Sequence, residues 1–354
     1  MSQDFSGTRP VNEKHAFDIA RLAAWMRTHV DGFDDSEKTL AVEQFKGGQS
    51  NPTFLLQAGG RRYVLRRQPP GKLLPSAHAV DREFRVISAL AASEVPVAKT
   101  YALCTDPDVI GSMFYVMDCV DGRIFWDPAL PGMTPADRAA IFDEMNRVIS
   151  ALHTVDFASI GLGDYGKPGS FFERQIGRWT KQYRAAETEK IAAMDALIDW
   201  LPQHIPADES SAIVHGDYRL DNLIFHPSEP RIIAVLDWEL STLGHPMADF
   251  AYHCLAWQMP PGKLRGLLGH DLATLGIPQE ADYVAHYCQR TGRAPVAPAE
   301  WNYYLAFNLF RLCAIAQGIA TRALQGNAAS AEAVEMGKLA QPVAEAGWRL
   351  ANQS

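Results

Sequence analysis

The densest chemistry in the chain lies in the eight residues HGDYRLDN, 215 to 222. Asp217 and Asn222 fall on what reads as a short loop, and an apolar run, 232 to 236, then delivers a third oxygen ligand, Asp237. Phosphoryl transfer asks a protein to steer a nucleophile and to hold Mg²⁺ against nucleotide phosphates, and an acid, an amide and a second acid suit those tasks. On this reading Asp217 handles the acceptor hydroxyl, Asn222 and Asp237 hold the metal, and His215 orients the loop. A metal-dependent hydrolase could use the same carboxylates, but the His-rich or paired-carboxylate clusters of a two-metal site are missing from the sequence.

Upstream, 42–45, 53–57 and 63–67 read as three short strands joined by glycine turns, with further strands at 99–104 and 113–120. The turn Gly47-Gly48-Gln49-Ser50-Asn51 can bring backbone N–H groups and a hydroxyl to phosphate oxygens, or can be a plain hairpin turn. A helix over 81–90 carries Glu83, either a partner for a nearby base or a solvated charge. Residues 1–12 are expected to fray, 13–30 to form an amphipathic helix, and TDPDVIG at 105–111 to turn. Thr134 is placed to cap a long helix, with Pro135 in its first turn. More helix is expected over 170–201, and a closing surface helix at 328–350; the aromatic stripe at 301–310 reads as core or, where Asn302, Asn308 and Arg311 interrupt it, as part of a substrate cleft. His153 reads as a core or capping histidine rather than a catalytic one.

HGDYRLDN followed by IIAVLDWE resembles the His-Gly-Asp-x-x-x-x-Asn and Asp-Trp motifs of the aminoglycoside phosphotransferase and choline kinase-like family, relatives of the protein kinases. The match runs from about residue 40 to about 325. Within that family, GGQSNPTF, VLRRQPPG and DREF are most similar to the kinase-like domains joined to acyl-CoA dehydrogenases. The resemblance implies an α+β, two-lobed protein-kinase-like fold. Its small lobe, 1–120, would hold a five-stranded antiparallel sheet plus a helix, and its large, mainly helical lobe would span 121–354. It implies ATP and Mg²⁺ as cofactors, with Gly47, Gly48 and Ser50 around the phosphates. Arg66 stands where the family carries a phosphate-gripping lysine, Glu83 is its partner, and Met117 opens a hinge that meets the adenine. Asp249 is expected to tie the catalytic loop by hydrogen bonds. Arginine for lysine is a departure, since a planar fork replaces a point charge, and it opens the alternative of an inactive nucleotide-binding pseudokinase. The implied acceptor is a small-molecule hydroxyl, in the nearest resemblance a hydroxyacyl group as its CoA thioester. An aminoglycoside-type antibiotic kinase is the other alternative.

Composition narrows the classes further. Lys plus Arg number 33 against 41 Asp plus Glu in 354 residues, a net charge of −8, which disfavours nucleic acid or an anionic membrane as partner. The five cysteines form no Cys-x-x-Cys pair, the N-terminus lacks a signal-like apolar core, and no apolar run nears the ~18 residues of a membrane span. A cytoplasmic protein is expected. Between 255 and 325 the acids Asp271, Glu280, Asp282 and Glu300 meet the bases Lys263, Arg265, Arg290, Arg293, Arg311 and Arg322, the wrong sign for a polycation acceptor.

Overall fold

The computed structural model describes residues 7–36, 39–46, 51–69, 78–324 and 335–353. Two compact units emerge. The first takes the described residues up to Trp126 together with Ala158–Leu162 and Leu220–Ser241; the second takes Asp127–Phe157, Gly163–Arg219 and the described residues from Thr242 onward. A single cut after residue 120 was expected. Instead the chain returns twice to the first unit, and one of the crossings falls inside HGDYRLDN, between Arg219 and Leu220.

The first unit is built on an antiparallel sheet of β1 (Thr8–Arg9), β2 (Ala41–Phe45), β3 (Thr53–Ala58), β4 (Arg61–Arg67), β5 (Thr100–Cys104) and β6 (Phe114–Asp118), in the order β1-β2-β3-β4-β6-β5. Among the described residues six strands replace the expected five. Thr8 and Arg9, placed in a fraying tail by the sequence, pair with Phe45 and Gln44. Gly59 and Gly60, with φ of 54° and 74°, make the β3–β4 turn, where both central residues must adopt left-handed conformations to match the strand twist. Helix α1 (Ile19–His29), capped by Asp18, lays Leu22 and Met26 on Phe54, Leu56, Leu65, Phe114 and Val116, all fully buried. Helix α2 (Val80–Leu90) carries Glu83, and the 105–111 turn closes a single helical turn, α3 (Pro107–Ile110). Period two along β4 sends its paired arginines to opposite faces. Arg67 lies in the α1 core, over the rings of Phe17 and Phe54 and donating to Ile110 O at 3.2 Å, while Arg66 points to Glu83.

The second unit is helical: α4 (Pro135–Thr154), α5 (Phe171–Ala186), α6 (Ala192–Trp200), α7 (Pro246–Gln258), α8 (Leu272–Leu275), α9 (Glu280–Thr291), α10 (Pro298–Leu324) and α11 (Ala340–Ala351). Thr134 caps α4 in a full capping box with Asp137. Helix α10 buries Tyr303 through Phe310 without a break, so the aromatic stripe is core. It is also the one described helix long and apolar enough, by composition, to cross a membrane, contrary to the run-length expectation; 61% of that window is buried within the protein. Of the closing surface helix expected over 328–350, residues 328–334 lie outside the described residues, and the rest exposes Gln341, Pro342, Glu345 and Arg349 while burying its other face. α11 packs on α10 and α6 through small residues, and a Cβ at Gly347 would sit 3.1 Å from Leu309 and from Leu197. Two short pairs flank the HGDYRLDN stretch: β7 (Ala212–Val214) with β10 (Thr242–Gly244) in the second unit, and β8 (Leu223–Phe225) with β9 (Ile232–Val235) in the first.

Candidate active site

In the first unit, the β8–β9 hairpin sets Asn222 and Asp237 at its open end. Leu223 faces Val235, and Leu236 N donates to Asn222 O at 2.8 Å, so amide and acid leave neighbouring strands side by side. Asp237 holds φ 65°, ψ 60°, a left-handed conformation that Asp adopts more readily than most non-glycine residues. Buried Trp238 wedges the turn, its indole N–H donating to Val235 O at 2.9 Å.

Arg66 gathers the acids. Its guanidinium lies 2.7 Å from Glu83, 2.7 Å from Asp237 and 3.5 Å from Glu239. Burial works against its charge, but the three carboxylates outweigh that and raise its pKa. Glu83, 1% exposed, is no solvated helix charge. It accepts Asn51 Nδ2 at 2.8 Å and the Tyr115 phenol at 3.1 Å. Burial pushes its pKa up, and Arg66 pulls the other way. Asn51 ties the end of the glycine turn to this pair. Gly47, Gly48 and Ser50 lie outside the described residues. Met117 sits within the ladder, between Val64 and Thr100, and Cys119 N is taken by Arg62 O. Backbone beyond the ladder starts only at Val120.

In the second unit the loop's first half is held by α7. Asp249 accepts His215 N at 2.7 Å and Gly216 N at 2.8 Å, as expected of that residue. Burial pushes its carboxyl up, yet the His153 ring at 3.2 Å and His215, through its ring and its N–H, prevail and hold it below the usual range. His153 spans Asp249 and the Tyr287 phenol, a core role. His215 Nδ1 accepts Asp217 N at 3.2 Å, which places the ring's proton on Nε2. Asp217 Oδ1 receives the Tyr252 phenol at 2.6 Å, with Arg219 Nε 3.5 Å away. Arg311 donates to Gly216 O at 2.7 Å. Sequence reasoning missed Glu239, Tyr115 and Tyr252; it noted Arg311 as an interruption of the aromatic stripe and as one of the bases of 255–325.

These halves fit a known frame. The sequence model of the phosphotransferase enzyme family matches residues 41–299. The chain belongs to that family. A curated relative, acyl-CoA dehydrogenase family member 10 of Mus musculus, is 46% identical over 98% of the chain, which spans only 32% of that larger protein. A Ralstonia eutropha crystal structure provisionally named an aminoglycoside phosphotransferase is 59% identical, with a TM-score of 0.88, covering 96% of this chain and 99% of that one. An aminoglycoside phosphotransferase in ternary complex with ADP and hygromycin B aligns at a TM-score of 0.56 and 16% identity, covering 88% of this chain and 94% of that one, a likeness of fold alone. Family and fold are the kinase-like, α+β class that the motifs implied.

The donor set suits Mg²⁺ bound through a nucleotide. Asn222 and Asp237 offer hard oxygens from one hairpin end, and no group of three or more His, Cys, Asp or Glu able to cage a metal occurs among the described residues. Magnesium characteristically takes one or two carboxylates and leaves its other positions to phosphates and water.

Proposed function

We propose that the protein transfers the γ-phosphate of ATP to the hydroxyl of a small molecule, with Asn222 and Asp237 as metal-holding residues. Bound Mg²⁺–ATP would supply the phosphoryl group and neutralise charge on its oxygens. Asp217 accepts and steers the acceptor hydroxyl. Asp249, through two loop N–H groups, fixes the backbone that carries it. Arg66, fixed by Glu83, presents a guanidinium beside Asp237, where it can grip phosphate bidentately. The observation that supports this reading is that ion pair: Arg66 reaches both acids at 2.7 Å, as the expected lysine would have to. It also weighs against the pseudokinase alternative.

Three of the six bases counted in 255–325 are spent on acids elsewhere, Lys263 on Glu335, Arg290 on Asp143 and Arg293 on Asp208, so the regional excess says little about substrate. The groups that accompany Asp217 say more: Arg219, Arg311 and a phenol. Two guanidiniums beside the nucleophile's acid repel polyamines and favour a neutral or anionic acceptor. The named relatives make a hydroxyacyl-CoA the first compound to test. A panel at fixed Mg-ATP should show hydroxyacyl thioesters preferred over kanamycin-like amines. Preference for the amines by about tenfold in kcat/KM, ~1.4 kcal/mol, would restore the antibiotic-kinase reading.

A further inference from the structure

Helix α7 holds three successive loop residues from one face. Asp249 binds the N–H groups of His215 and Gly216, and one helical turn on, Tyr252 donates its phenol to the carboxylate of Asp217 at 2.6 Å. The ring of Tyr252 is itself fixed, because the Arg311 guanidinium covers it at 5.0 Å while donating to Gly216 O at 2.7 Å. Two helices thus converge on one acid through a side chain the motif does not contain. Burial first, and then the Asp217 carboxylate, raise the phenol's pKa, so its oxygen keeps the proton that it donates at neutral pH.

Resting on the function proposed above, we infer that Tyr252 is a positioning residue: it pins Oδ1 of Asp217 and so sets the direction in which the carboxylate meets the acceptor hydroxyl. A carboxylate on a single Cα–Cβ axis rotates readily. Anchoring one oxygen removes that freedom before the acceptor arrives, which is how a group acting through another contributes to turnover without contributing to binding.

Tyr252→Phe removes one oxygen and keeps the ring under Arg311. The expected result is a fall in kcat of about tenfold or more with the KM for nucleotide and acceptor unchanged within about twofold, and no further loss when the change is added to Asp217→Asn. A parent-level kcat in Tyr252→Phe, or full additivity with Asp217→Asn, overturns the inference. If instead Asp217→Asn itself transfers phosphate like the parent, the functional reading fails before the role of Tyr252 is reached. A substrate-free readout stands beside these: in protein labelled at the tyrosine ζ-carbon, the Tyr252 signal, identified by its absence in Tyr252→Phe, should move in Asp217→Asn. An unmoved signal overturns the contact, and the inference with it.

Discussion

In the proposed function the chemistry turns on Arg66 and Asp217, and substitution of each is expected to cost something different. If Asp217 serves the nucleophile and not the nucleotide, as proposed, Asp217→Asn should reduce transfer by about 100-fold or more while calorimetric nucleotide affinity stays near the parent's. Matching losses in both would contradict its role. Arg66 is different, since its guanidinium is 11% exposed and is paired with a Glu83 side chain that is 1% exposed. Arg66→Ala leaves a buried carboxylate alone, so it should cost about 3–5 kcal/mol in denaturant unfolding as well as activity. Arg66→Lys separates the two effects. A lysine can still reach Glu83 as a point charge, so this variant should fold and keep measurable turnover; a folded Arg66→Lys without any transfer would show that phosphate needs the planar fork.

At the scale of elements, legibility followed how local the determining physics was. The α4 cap was readable because Thr134, Pro135 and Asp137 satisfy one another within a single turn. The hairpin that joins Asn222 to Asp237 was readable because two apolar runs flank it. Strand β1 was not, since two residues carry no period and pair only with a partner far along the chain. Tyr252 was hidden for another reason: a tyrosine on a buried helix has the same pattern whether its oxygen meets Asp217 or the core. The base count failed because charges at Arg290 and Arg293 are cancelled by acids more than 80 residues away. One element's role can be tested directly. Gly122 follows β6, where Arg123 and Phe225 exchange two backbone hydrogen bonds of 2.8 Å, and a Cβ at 122 would lie 2.2 Å from Phe225 O. Gly122→Ala should therefore cost about 1–3 kcal/mol by overpacking, read as a lower urea midpoint at unchanged slope. A parent midpoint would mean that the segment shifts aside without cost.

For the whole molecule, the imidazoles buried in the second unit set an acid limit on stability. His253 is 6% exposed, with Nε2 against the Tyr283 phenol at 2.8 Å, and His245 is 1% exposed between Phe172 and Tyr304. Burial lowers the pKa of each from 6.5 to about 4. Between those values the unfolded imidazole binds a proton that the folded one refuses, so the unfolded state gains protons and stability falls as pH drops through the window. Each histidine is thus worth about 3 kcal/mol at neutral pH that is gone near pH 4. Asp249 adds in the same direction, because its carboxyl is held below the usual range and must be protonated in acid. Glu83 and Glu280 act oppositely, since burial raises both and their folded forms take up protons first. The parent's urea-unfolding free energy should therefore decline from pH 6.5 to 4. In His253→Gln, which keeps an amide able to meet Tyr283, the decline should be shallower by about 3 kcal/mol over the same interval. Parallel pH profiles for parent and variant would show that His253 titrates in the folded protein as it does in the unfolded chain, and would remove burial at this site from the causes of acid instability.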